Sequence, residues 1–213
     1  MLVFGGGGGG QVRGNIRVFE HTPKLWRMFF YHSQLAGMLS PKLVALVSGV
    51  RRRGGVVRLW KCGRFVLPSD LTEVGQRLAH LDLSGITSLE GHLRVLATTP
   101  LLETCSFQHC PSVVGDLRVL EGCPRLRELR LEGCEGVEGS VHVFHKCPQL
   151  RHVDLTNTAA EGSVSVFEKL GDPKSGGRLR KAKVGGTKCY EGLPPSLRSP
   201  AASQAQKRVH GSF

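Results

Sequence analysis

The sequence predicts an α/β repeat, a solenoid of stacked units with a parallel sheet along one side, and three observations carry that expectation. Leu83, Phe107, Leu131 and Leu155 recur every 24 residues, Leu78, Leu102, Leu126 and Leu150 keep the same step, and so do Pro100, Pro124 and Pro148. Three independent columns in one phase define a repeat rather than a chance alignment. Such a period belongs to folds in which each unit buries its apolar face only against its neighbours, so that stability grows with the stack.

The unit from Leu126 to Gln149, LRELRLEGCEGVEGSVHVFHKCPQ, serves as the reference. Its first, fourth and sixth positions form the apolar side of a short strand and its lead-in, because alternate strand residues point to opposite faces. The Gly-x-Val step that follows, Gly139 to Val141, lets the backbone turn onto the opposite side of the unit.

Taken in order, residues 1–10 run from MLVFG into polyglycine, which weakens a strand through entropy and lack of packing, so a disordered glycine-rich start is expected. Residues 11–24 match the second half of the reference unit through Val12, Gly14, Ile16, Phe19, Thr22 and Pro23. No capping segment precedes this half unit, as in a piece of a longer array. Residues 25–53 form a 29-residue unit with Leu25, Met28 and Phe30 inward and a surplus from Val47 to Arg53 read as an extruded loop. Residues 54–77 place Val57, Leu59 and Cys62 in column, and their second half departs from the pattern, with a helix start expected at Ser69 or Asp70. Units 78–101, 102–125 and 126–149 are the most regular, and 150–171 brings its glycine in one residue early. About six repeats over 11–171 are expected, followed over 172–213 by a basic disordered tail rich in Gly, Pro, Ser, Lys and Arg.

The Leu-x-x-Leu-x-Leu head at this period resembles the leucine-rich repeat family. Leu150, Val153, Leu155, Thr158, Gly162-x-Val164 and Phe167 resemble its plant-type subclass, L-x-x-L-x-L-x-x-[NT]-x-x-x-G-x-[IV]. The 24-residue units, with Cys123-Pro124 and Cys147-Pro148 before the strand and Cys110 and Cys134 at position nine, also resemble the cysteine-containing subclass found beside F-box domains, although no F-box is recognisable upstream. The resemblance covers roughly residues 11–171. It implies a curved right-handed superhelix, with a parallel β-sheet on the concave face and short strands, 3-10 or short helical turns on the convex face. It also implies a protein-binding role, and it is silent on the partner.

Composition narrows the class further. No apolar run approaches the roughly 18 residues that cross a bilayer, and Met1 to Gly10 holds no export-signal core, so an intracellular, cytoplasmic monomer is the expectation. Asn15 and Asn157 lie in Asn-Ile-Arg and Asn-Thr-Ala, which are not glycosylation acceptors. Of seven cysteines, Cys62, Cys110 and Cys134 share the ninth position and Cys123 and Cys147 the twenty-second, which argues for reduced packing residues, and there is no Cys-x-x-Cys to suggest a zinc or redox motif. Much of the net charge of +12 sits outside the repeats, in Arg51 to Arg53 and beyond Gly171.

No cofactor, metal or catalytic set is expected. Gly5 to Gly10 lack the Gly-Lys-Ser/Thr of a phosphate loop and lead instead into Gln-Val-Arg. His142, His145 and Cys147 are potential metal ligands that need not converge, since Cys147 sits in an inward column. His109 and Cys110 should point to opposite faces. Function is instead expected on concave positions two, three, five, seven and eight, which the core does not require. In later units these columns carry both signs of charge, Glu103, Arg127 and Arg151 in one and Arg58, Asp82, Ser106, Arg130 and Asp154 in another, and pairing of opposite charges between neighbouring strands is expected. In the early units they hold Trp26, Arg27, Phe29, Tyr31 and His32, then Arg58, Trp60 and Lys61. Exposed Trp, Tyr and Arg are enriched in binding hot spots, so Trp26, Arg27, Phe29, Tyr31, Arg58, Trp60 and Lys61 are the candidate partner-binding residues. A protein partner is the first expectation. Single-stranded nucleic acid is the alternative, with aromatics stacking on bases and Arg27, Arg58 and Lys61 meeting phosphates.

Overall fold

The computed structural model describes residues 2–5, 13–15, 17, 27–31, 34–38, 55–60, 62–68 and 75–190. Among these residues, sixteen strands alternate between two sides of a stack. On one side, β1 (Leu2–Gly5), β3 (Arg27–Tyr31), β5 (Gly55–Trp60), β7 (Leu78–Asp82), β9 (Thr104–Ser106), β11 (Glu128–Arg130), β13 (His152–Asp154) and β15 (Lys181–Lys183) pair in that order into one parallel sheet. On the other, β2 (Arg13–Asn15), β4 (Gln34–Met38) and β6 (Phe65–Val66) form a three-stranded parallel sheet. Its continuation is a five-stranded sheet of β8 (Gly91–His92), β10 (Val113–Asp116), β12 (Gly136–Ser140), β14 (Ala159–Ser163) and β16 (Lys188–Tyr190), reached through a parallel bridge from Val66 to Glu90. The chain crosses from one side to the other in every unit, so each strand's neighbours come from the units before and after it.

The 24-residue columns are the core. Leu81, Cys105, Leu129 and Val153 are register partners along the sheet, and all are at most 2% exposed. Leu78, Leu102, Leu126 and Leu150 stack beside them, as do Leu83, Phe107, Leu131 and Leu155, all buried. On the convex side six-residue 3-10 turns at Leu93–Thr98, Leu117–Gly122 and Val141–Lys146 add Leu96, Leu120 and Phe144 to the same core. Each turn begins on a side-chain acceptor that receives a backbone N–H two residues on: His92 from Arg94, Asp116 from Arg118 at 2.7 Å, and Ser140 from His142 at 3.2 Å. This recurring N-cap satisfies a donor that the short turn leaves orphaned.

The glycine of the Gly-x-Val step has a steric cause. Gly139 sits at φ 103°, and a Cβ there would lie 2.4 Å from the Asp116 carboxylate oxygen that caps the preceding turn. A side chain at this position would displace the cap of the neighbouring unit.

The cysteine columns prove to be a hydrogen-bonded ladder. The Cys110 thiol donates to the Leu83 carbonyl at 3.2 Å, Cys134 to Phe107 at 2.9 Å and Cys123 to Leu96 at 3.4 Å, each reaching back into the preceding unit. All seven cysteines are free thiols. Burial pushes Cys110 up to about 11, and Cys134 and Cys147 each to about 12. The folded state therefore favours the protonated thiol. That contribution is complete below the unfolded thiol value and is lost as pH rises towards 11 to 12. At pH 8, iodoacetamide should label the half-buried Cys62 and Cys189 first and the five buried thiols only after unfolding. Denatured protein should give the same seven-thiol count with and without prior reduction. Recovery of Cys110 joined to Cys134, or Cys123 to Cys147, would contradict the ladder.

Three expectations need correction. Leu2–Gly5 forms a strand, pairing Leu2 with Met28 and Gly5 with Tyr31, so residues 1–10 are not wholly irregular. Pairing engages backbone groups, and only the last residue of β1 belongs to the glycine run. Nor do the columns stop at Gly171. Helix α1 (Ser165–Gly171) and a 3-10 turn, Pro173–Ser175, lengthen the unit, after which β15 and β16 extend both sheets and Leu179 and Ala182 are buried. The step from Val153 to its partner Ala182 is 29 residues, the same as from Met28 to Val57. The turn is fastened by Asp172, which accepts the Lys174 N–H at 2.9 Å and the Ser175 hydroxyl at 2.8 Å, contacts that hold its carboxyl below the usual range. Among the described residues the main sheet thus has eight strands, where about six units are expected. The glycines from Gly6 to Gly10, the Val47 to Arg53 loop, the helix start at Ser69 or Asp70, and the tail from 191 to 213 lie outside the described residues.

Candidate functional site

The face of the eight-stranded sheet turned away from the core collects what the core does not use. Backbone register aligns Phe29 with Arg58 and Tyr31 with Trp60, while Met28 and Phe30 align with the buried Val57 and Leu59. Arg58 in turn aligns with Asp82 and then Ser106. The early candidates Arg27, Phe29, Tyr31, Arg58 and Trp60 therefore sit on two adjacent strands, and Trp26 and Lys61 lie outside the described residues. Arg58 is half-buried and lines a shallow groove with Asp82, Thr104, Ser106, Glu128 and Arg130.

Further along, the polar columns join across strands. The imidazole Nδ1 of His80 and the Thr104 hydroxyl lie 2.8 Å apart, and the Ser84 and Ser106 hydroxyls 2.6 Å apart. Asp82 accepts both the N–H and the hydroxyl of Ser84, and Asp154 does the same for Thr156. Gln108 donates to Glu132 at 3.0 Å. Of the charge pairs expected between strands, Glu103 and Arg127 meet at 3.0 Å. Arg130, in contrast, pairs with Glu128 of its own strand, and Asp154 pairs with Lys183 at 2.7 Å. That contact holds the Lys183 ammonium above the ordinary lysine range, chiefly through its hydrogen bond to Asp154. Lys183 was missed because it lies past the residue at which the 24-residue columns lose phase. Its signal was the Leu179-x-x-Ala182-x-Val184 spacing, which repeats the one-four-six pattern.

The chemistry-bearing pairs weighed in the sequence do not assemble. Cys110 gives its thiol to backbone carbonyls while His109 is exposed in a left-handed turn at φ 58°. His142 and His145 stack with ring centroids 4.7 Å apart on the convex surface, and Cys147 is buried with its thiol directed at the Leu120 carbonyl. Among the described residues no group of three or more His, Cys, Asp or Glu side chains could hold a metal ion. No helix there is long and apolar enough to cross a membrane.

A parallel sheet of one strand per unit, backed by short strands and 3-10 turns around columns of Leu, Phe and Cys, defines a leucine-rich-repeat solenoid. Among solved structures, the LRR ectodomain of the plant membrane receptor kinase GASSHO1/SCHENGEN3 from Arabidopsis thaliana, solved in complex with CASPARIAN STRIP INTEGRITY FACTOR 2, is similar over 88% of this chain at 13% identity and a TM-score of 0.55. The chain spans 24% of that ectodomain's length. An internalin (inlF) from Listeria monocytogenes aligns over 78% of this chain and 56% of its own, at 12% identity and a TM-score of 0.45. No family model matches the sequence, and no curated protein does.

Proposed function

We propose that the chain is a non-catalytic protein-binding module whose partner sits on the concave face. One observation supports this reading: the outward columns of the main sheet, from Arg58 through Asp82 and Ser106 to Arg130, hold side chains that the stacked apolar core does not require. We centre binding on the early rungs, at Arg58 and Trp60 with Arg27, Phe29 and Tyr31 aligned in backbone register, and keep Trp26 and Lys61 as candidates from the sequence. Tryptophan, tyrosine and arginine supply large contact area with a polar handle, which is what dominates interface energetics. The buried thiol ladder suits a reducing, intracellular setting, and the module acts as a monomer with no cofactor.

Trp60→Ala should weaken binding of a partner recovered by the intact chain by about 2 kcal/mol or more, measured by calorimetry, with little change in the urea midpoint. Asp154→Ala, far along the same face, should matter much less. A loss of several kcal/mol of folding stability from Trp60→Ala would instead place the ring in the core and remove it from the site. Binding that collapses steeply with salt and is competed by single-stranded nucleic acid would favour base stacking on the aromatics over a protein partner.

A further inference from the structure

We propose that the C-terminal end of the concave face is a second docking edge, for an acidic peptide segment of a protein partner, built by Arg151, Arg180 and Lys181 with His152 beside them. Arg127, Arg151 and Arg180 occupy one column on successive rungs, tied by backbone hydrogen bonds from Arg151 to Arg127 at 2.7 Å and from Arg180 to Arg151 at 2.8 Å. His152 aligns with Lys181 in the next column. Neighbouring rungs lie about 4.8 Å apart, a spacing at which like charges directly opposite one another destabilise a sheet. The core does not ask for them, since the same column holds Ala79 and Glu103 in earlier units.

Among the described residues no carboxylate neutralises Arg151, Arg180 or Lys181. Glu103 is engaged by Arg127, Glu128 by Arg130 and Asp154 by Lys183, so the carboxylates on this stretch of the face are already committed. Arg151, His152, Arg180 and Lys181 are exposed and make no side-chain hydrogen bond or ion pair among the described residues. Stacked guanidinium forks match carboxylates bidentately. Single-stranded nucleic acid fits less well, because it needs aromatic platforms for its bases, and the strand residues here provide only His152. This edge shares with the proposed function only the idea of a protein partner and lies at the opposite end of the array from Trp60.

The test uses the full chain and a fluorescent hexaglutamate peptide, read by anisotropy at low salt, with a thymidine hexanucleotide as comparison. Arg151→Ala and Arg180→Ala should each weaken peptide binding about tenfold, equal to roughly 1.4 kcal/mol, and the double variant should abolish it. Arg151→Lys with Arg180→Lys should retain part of it, whereas Arg118→Ala on the convex side and Trp60→Ala should leave it unchanged. Basic residues beyond Tyr190 are common to every variant and cancel in the comparison. Absence of peptide binding, or binding untouched by the double alanine variant, overturns the proposal. So does tighter binding of the hexanucleotide through the same two arginines. Because Trp60→Ala reports on the other site, failure here and failure of the early-rung site remain distinguishable.

Discussion

Ending the chain after Gly171 should lower folding stability by about 3 kcal/mol or more, since it removes a full rung and uncovers the one before it. The lost residues include Leu179 at 5% exposure and Ala182 at 0%, and the newly bared surface includes Leu150, Val153 and Leu155, each at most 1% exposed in the intact fold. Burying a leucine is worth roughly 1.5 to 3 kcal/mol, a gain that the entropy of ordering the last unit offsets in part. The ion pair between the half-buried Lys183 and the buried Asp154 goes with it. Urea titration followed by circular dichroism is the measurement. A chain ending after Tyr190 keeps β15 and β16 and should unfold within about 1 kcal/mol of the full chain. Equal midpoints for the Gly171 and Tyr190 truncations would show that the last rung is docked without contributing stability.

Phe144→Ala should cost about 3 to 5 kcal/mol, the range for deleting a fully buried aromatic. Phe144 is 0% exposed and sits where the convex turn of its unit meets the next. Its ring lies 5.5 Å from that of Phe167 in α1 at a tilt of 38°, within the separation at which aromatic pairs attract. The resulting cavity cannot close without drawing the two units together, which the backbone ladder on both sheets resists. Phe144→Leu should cost less than about 1.5 kcal/mol by keeping most of the volume. In a linear array the loss falls on one interface, so hydrogen exchange should accelerate most in β12, β14 and α1 and least in β7. Uniform acceleration would mean that the stack unfolds as a single unit.

The concave face was partly legible in advance. Alternation in β5 places Arg58 between the buried Val57 and Leu59, and that much follows from period two alone. Which charges join was not legible. Arg130 and Asp154 stand on neighbouring strands in the same column, yet each finds a nearer partner, Glu128 two residues away along the strand and Lys183 on the following rung. Long flexible side chains choose by reach, which column membership does not encode. The N-cap acceptors His92, Asp116 and Ser140 likewise occupy one column as three residue types, so no single-letter pattern marks them.

The solenoid itself is written in the chain, because each unit must present Leu, Phe or Cys at the same height to the unit before it, and equal spacing is the trace that requirement leaves. The extent of the solenoid is not. Leu179-x-x-Ala182-x-Val184 carries the inward pattern, but α1 and the turn after it shift its phase by five residues, and equal spacing no longer finds it. Leu2–Gly5 joins the sheet although glycine follows, since a parallel strand needs backbone donors and acceptors and a neighbour to offer its own. The outermost described rungs were decided by pairing in three dimensions, where a strand is recognised by what lies beside it.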